Sequence, residues 1–136
     1  MSGPLRLPAA VRRAIAAHAR RDAPNECCGF LLGRRAHVAY ALPASNTSTT
    51  PLTRYRVDPR AHIALRRILR RLEPPLSILG IYHSHPCGPG GPSLSDIREA
   101  HVREWVHVIV DLSCGRPRQS AWMIQNGQAQ RRALAR

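Results

Sequence analysis

The stretch from Leu76 to Ala100, LSILGIYHSHPCGPGGPSLSDIREA, constrains this chain more than any other. An apolar run ending at Tyr82 leads into His83, His85 follows two positions later, and Pro86 closes the run. In an extended strand, residues i and i+2 project to the same face. The spacing therefore predicts a strand whose end presents His83 and His85 together, with Ser84 turned to the other side. Further on, Ser93-Leu94-Ser95-Asp96 reads as a helix start, with Ser93 as N-cap and Asp96 in the first turn. The Gly- and Pro-rich loop from Pro86 to Pro92 would fold that helix end back towards the strand end. Two imidazoles and one carboxylate would then converge. Such a set suits one zinc ion and leaves a fourth coordination position open to water, as in catalytic rather than structural sites. Each half also has a plainer use, since two histidines can share a strand by chance and Ser-x-x-Asp is a capping box.

A length of 136 residues suits one domain, residues 1–136, with a single core and little room for insertions. The net charge of +13 rests on 21 arginines without a single lysine. No side-chain amine is therefore available for a Schiff base. A GC-rich genome would also favour Arg, but charge of this size makes acidic partners the expectation. The six aromatics (two Trp, three Tyr, one Phe) offer little for base stacking, so nucleic acid is not the expected partner. Cys27, Cys28, Cys87 and Cys114 lack paired zinc-finger spacing, and sequence neighbours rarely bridge. No apolar run reaches membrane-spanning length and no signal-peptide core is visible, which makes a reducing cytoplasm the default compartment. The Arg- and Ala-rich start could pass for a transit peptide, although it serves better as a first helix.

Taken in order, Pro8 to Arg21 has helical periodicity, with Val11, Ala14, Ile15 and His18 on one stripe, and Ala23-Pro24 stops it. Pro24 to Gly33 reads as a short buried strand introduced by the carboxylate of Glu26. His37 to Leu42 alternates Val38, Tyr40 and Leu42 as a half-buried strand would. A Thr/Ser-rich loop and a short strand near Arg54 to Val57 precede Asp58-Pro59, an N-cap with Pro at the first helical position. That helix should run to about Leu72 with Ala61, Leu65, Ile68 and Leu72 inward. Its arginines form either a solvated face or a dock for an acidic partner. After the Ser93 helix come strands at Trp105 to Leu112, Gln119 to Gln125 and Gln128 to Leu134, the last two joined by the hairpin signal Asn126-Gly127. The expectation is an α+β domain: a mixed central β-sheet of six or seven strands flanked by helices.

The joint pattern His-x-His-Pro, seven residues, Ser-x-x-Asp resembles the signature of the JAMM (MPN-type) zinc metalloprotease family. The segment Pro24-Asn25-Glu26-Cys27-Cys28-Gly29-Phe30-Leu31-Leu32-Gly33 is similar to that family's first signature block, with its usual Cys at Cys28. The likeness extends over nearly the whole chain. It implies a single MPN-like, cytidine-deaminase-like fold, zinc held by His83, His85 and Asp96, and Glu26 as general acid/base. It further implies that Ser93 supports the oxyanion, although a hydroxyl there could equally be only a cap. Within the family the chain looks most like the compact bacterial branch, which acts on ubiquitin-like sulfur-carrier proteins ending in Gly-Gly. Some of those members release cysteine from the tail in cysteine biosynthesis. An acidic carrier is the implied partner, and a homodimer is open. Cys87 departs from the family pattern and reads as a loop thiol.

Other enzyme classes fit less well. The chain has no His-Glu-x-x-His, no Gly-x-Ser-x-Gly and no Lys-bearing phosphate loop. A zinc deaminase would need a later Cys-x-x-Cys. Two non-enzymatic readings stay open: a catalytically silent MPN-type scaffold and a basic nucleic-acid-binding module.

Overall fold

A computed structural model describes residues 3–136. The chain runs β1 (Leu5–Arg6), α1 (Ala9–Asp22), β2 (Cys28–Arg34), β3 (His37–Ala44), α2 (Pro59–Arg70), β4 (Ser77–His85), α3 (Leu94–Glu99), β5 (Val106–Asp111), β6 (Arg118–Gln125), β7 (Gln128–Arg132) and β8 (Leu134–Ala135). The strands form one mixed sheet in the order β7-β6-β5-β4-β2-β3-β1-β8. β4 pairs antiparallel with β2 and parallel with β5, so the histidine strand lies in the interior of the sheet. Interior strands covered on both faces read as continuous apolar runs. Every residue of β5 is buried, and β2 is buried up to Arg34.

Helices cover both faces. α1 sends Val11, Ile15 and Ala19 into a core with Leu31, Tyr82, Val106, Val108 and Val110. On the other face, Leu65 and Leu69 of α2 pack on Phe30, Leu32 and Ile81. The α+β architecture with a mixed sheet between helices is thus what the sequence suggested. Among the described residues no helix is long and apolar enough to cross a membrane.

Several local readings change. The inward stripe of α2 is Leu65 and Leu69, whereas Ile68 and Leu72 are exposed. The arginines Arg66, Arg67, Arg70 and Arg71 are exposed as expected, but the buried stripe is rotated from Ile68 to Leu69 and Ala61 is exposed as well. In β3 only Val38 of the alternating trio is buried, while Tyr40 and Leu42 are exposed. The pairing of β2 with β3 shifts register between Leu32 and Gly33, so Leu32 faces Tyr40 and Gly33 faces Val38. The extra residue, Ala39, reverses the faces beyond it, and Ala41 packs on the α1 core in place of Tyr40. Residues Arg54 to Val57 form no strand. Asn46 ties this segment instead: its Nδ2 donates to Arg54 O at 2.9 Å, and its Oδ1 accepts from Arg56 N at 3.0 Å. The expected last strand divides into β7 and β8, and β8 pairs with β1. β1 is two residues between prolines, too short to leave a periodic signal.

Candidate functional site

β4 ends with His83, Ser84 and His85 all buried. Ser84 locks the neighbouring chain in place: its N–H donates to Cys27 O at 3.1 Å and its Oγ accepts from Cys27 N at 2.8 Å. This double link fixes the residue just after Glu26 against the histidine strand. Glu26 is held from the other side, its N–H donating to Pro51 O at 2.7 Å and its carbonyl accepting from Asn46 Nδ2 at 3.0 Å. α3 delivers the last group. Ser93 is its N-cap, and both halves of a capping box are present: Asp96 N donates to Ser93 Oγ at 3.1 Å, and Ser93 N donates to Asp96 Oδ2 at 2.9 Å.

Asp96 Oδ2 lies 3.1 Å from His83 Nε2 and 3.1 Å from His85 Nε2, and the two nitrogens are themselves 3.1 Å apart. The carboxylate of Glu26 stands within 4.8 Å of both imidazoles. All four side chains are buried. The Pro86 to Pro92 loop does fold back, for His85 Nδ1 donates to Pro89 O at 2.7 Å. A carbonyl only accepts, so the hydrogen sits on Nδ1, and Nε2 of the neutral ring is a bare lone pair. His83 Nε2, His85 Nε2 and Asp96 Oδ2 therefore make an electron-rich triangle that a single hydrogen on His83 serves poorly. A cation would serve all three. At metal bonds of about 2.0–2.1 Å, tetrahedral ligands stand roughly 3.3 Å apart, close to the observed triangle. Buried atoms normally have partners, yet His83 Nδ1 and Glu26 Oε1 have none. The residues present fit a divalent metal.

The electrostatics agree. Burial opposes charge on His85, but Asp96, the Pro89 carbonyl and Glu26 outweigh it and hold its pKa above the usual histidine value. His83 goes the other way, because its complete burial outweighs Asp96. Burial also opposes ionisation of Asp96, yet the two histidines and the Ser93 N–H converging on it keep its carboxyl far below the carboxylate range. Glu26 is pushed up to about 7, chiefly by burial, with His85 opposing and Asp96 assisting. A buried carboxyl near 7 can both take and return a proton at neutral pH. The adjacent thiols are poor nucleophiles: burial pushes Cys27 up to about 11 and Cys28 up to about 12.

Glu26, His83, His85, Ser93 and Asp96 are thus brought together, and Cys87 lies exposed on the loop. Tyr55 escaped the sequence reading. Its ring stacks on His83, with centroids 4.2 Å apart and 24° between the planes. A tyrosine in an Arg- and Thr-rich loop carries no local signal for such a contact. Beside Tyr55, a cavity of about 790 Å³ opens between the 47–57 segment, α2 and the start of β5, with Phe30, Val57, Ile81, Trp105 and His107 among its apolar and aromatic walls and Arg54 and Arg56 also lining it.

Residues 8–125 match the family described as prokaryotic homologs of the JAB domain. A probable TtuB-protein conjugate cleaving protease of Thermus thermophilus is 44% identical over 100 residues, which cover 73% of this chain and 65% of that protein. A desampylase of Haloferax volcanii is 32% identical, with 79% and 81% covered. A CysO-cysteine peptidase of Mycobacterium tuberculosis is 32% identical, with 71% and 66% covered. The chain therefore spans just under two thirds of the Thermus and Mycobacterium relatives. Among solved structures, a Desulfitobacterium hafniense protein superposes with a TM-score of 0.85 at 28% identity, covering 96% of this chain and 91% of that one. A JAB1/MPN domain protein from Archaeoglobus fulgidus shares the fold, with a TM-score of 0.58 at 14% identity over 99% of this chain and 100% of that one.

Proposed function

The chain belongs to the prokaryotic JAB-domain family, and from that premise we propose a zinc-dependent peptidase or isopeptidase that cuts after the Gly-Gly tail of a ubiquitin-like sulfur-carrier protein. The observation that carries this reading is the triangle of His83, His85 and Asp96, with Glu26 beside it. His83, His85 and Asp96 would hold one zinc per chain. When bound, zinc supplies Lewis-acid polarisation of a carbonyl and makes water more acidic.

Glu26 takes the proton from the attacking water and returns it to the departing amine. The glycyl carbonyl carbon gains the hydroxyl as its bond to nitrogen breaks, so the products are a carboxylate and the released amine, which carries the acid's proton as an ammonium. Ser93 Oγ accepts from Asp96 N, which leaves its own O–H free to donate to the developing oxyanion. A donor in that role is worth roughly 3 kcal/mol in other hydrolases. The relatives named as cleaving TtuB conjugates and CysO-cysteine support this substrate class. So does the net charge of +13, which would steer an acidic carrier before docking. The cytoplasm, where such carriers work, is the proposed compartment, and cysteine is one leaving group.

The test incubates a purified carrier–cysteine adduct and a carrier–lysine isopeptide conjugate with the zinc-loaded protein and follows intact mass. Loss of cysteine or of the conjugated amine, abolished by a chelator, is the expected result. Cleavage of unrelated peptides with both Gly-Gly adducts untouched would replace this reading with a general metallopeptidase.

A further inference from the structure

The loop between His85 and Ser93 is held by its own Gly88 N–H donating to His85 O at 3.1 Å and, further along, by β6. Trp122 Nε1 donates to Ser120 Oγ at 2.8 Å, and Ser120 Oγ donates to Gly90 O at 3.0 Å. The next residue, Gly91, lies flat against the same indole, where an added Cβ would stand 3.2 Å from the ring. Arg131 packs over the Trp122 ring at 5.3 Å from its centroid. The preceding residue, Pro89, is the one whose carbonyl accepts from His85 Nδ1. Register explains why the loop is needed. Ser120 pairs with Ile109, and Ile109 pairs with His83, so β6 lies two strands from β4. Its side chains therefore act on His85 through the loop.

We propose that Ser120 and Trp122 are positioning residues for His85. By anchoring Gly90 and Gly91 they place the Pro89 carbonyl where it holds His85 as the Nδ1–H tautomer, with Nε2 bare and aimed at Asp96. Partners that orient a metal-binding histidine in this way are typically worth 10–100-fold in metal affinity. The inference rests on the reading of His85 as a metal ligand, but its first consequence, the tautomer, exists without metal or substrate.

The test uses the full chain as wild type, Ser120→Ala, Ser120→Thr and Trp122→Phe, with thermal melts to establish folding. Side-chain ¹⁵N NMR of the metal-free protein, at a pH where imidazole is neutral, reads the His85 tautomer directly. Wild type and Ser120→Thr should show Nδ1–H, because Thr keeps the hydroxyl. Ser120→Ala and Trp122→Phe should show a mixture with the Nε2–H form. Zinc affinity by chelator competition should fall about tenfold in the same two variants and recover in Ser120→Thr. A folded Ser120→Ala protein with pure Nδ1–H His85 and undiminished zinc affinity would overturn the proposal. Were the tautomer to shift as expected while no Gly-Gly adduct is cleaved, the positioning role would stand and only the substrate assignment would fall.

Discussion

Glu26 and Asp96 are both buried carboxyls, yet their surroundings push them in opposite directions. Asp96 stays ionised because two imidazoles and the Ser93 N–H converge on it. Glu26, with an unpartnered buried oxygen, rises to about 7. On the proposed function Asp96 is the ionised ligand and Glu26 the proton carrier, a division of roles that carboxyls pushed apart in this way support. Asp96→Ala should therefore lose the metal, since two imidazoles alone make a weak site. Elemental analysis reads this, and stoichiometric zinc in that variant would remove Asp96 from the ligand set. Glu26→Gln keeps the shape and should keep both fold and zinc. Its turnover should fall about 10²–10⁴-fold, the usual worth of general acid–base help. Wild-type turnover in that variant would place the base elsewhere.

At the scale of elements, the pairing of β2 with β4 does most to build the site. Cys28 lies opposite His83 and Gly29 opposite Tyr82. Gly29 has no side chain because the Tyr82 ring occupies the space where a Cβ would go. That ring is pinned through its hydroxyl, 2.7 Å from His18 Nδ1, and His18 Nε2 in turn is 3.1 Å from Asp22. Gly29→Ala must displace Tyr82, strain the strand bearing His83 and disturb the contact with α1. Overpacking of this kind costs about 1–3 kcal/mol or more, readable as a lower urea midpoint. Tyr82→Phe should cost about 1–3 kcal/mol for a different reason, since it strands a buried ring nitrogen of His18. An unchanged midpoint in both variants would mean that this contact between α1 and β4 contributes little.

For the molecule as a whole, buried histidines and the buried Glu26 make opposing contributions to the pH dependence of the metal-free fold. Burial, reinforced by the nearby His83 and opposed by Asp96, lowers His107 to about 4. Burial also lowers His18. The unfolded chain, with histidines near 6.5, then binds protons more readily than the folded one. The His107 contribution to stability is therefore full above pH 6.5 and is lost as pH falls from 6.5 towards 4, while Glu26, raised to about 7, acts in the opposite sense over much of that window. The loss from His107 alone is on the order of 3 kcal/mol. Relative to wild type, His107→Leu should therefore gain stability as pH falls from 6.5 towards 4, read as the difference in urea midpoint between the two proteins without metal. A difference between the two proteins that does not change with pH would remove His107 from this balance.

How far the chain can be read without its fold follows the range of the interactions. His83 and His85 share a face because strand side chains alternate, and Ser93 and Asp96 close a capping box within one turn. Both are local facts, and the sequence by itself determined them, along with α1 and the turn at Asn126-Gly127. That Glu26 belongs with His83, 57 positions later, was legible only by resemblance, because no periodicity spans that distance. Tertiary structure placed it there, through the antiparallel register of β2 on β4 and the Ser84–Cys27 lock. The same holds for Tyr55 on His83, for Ser120 and Trp122 behind the loop, and for the inverted face of β3 after its bulge. Each depends on which strands become neighbours and in what register. Those choices minimise the energy of the whole sheet, and no single segment carries them.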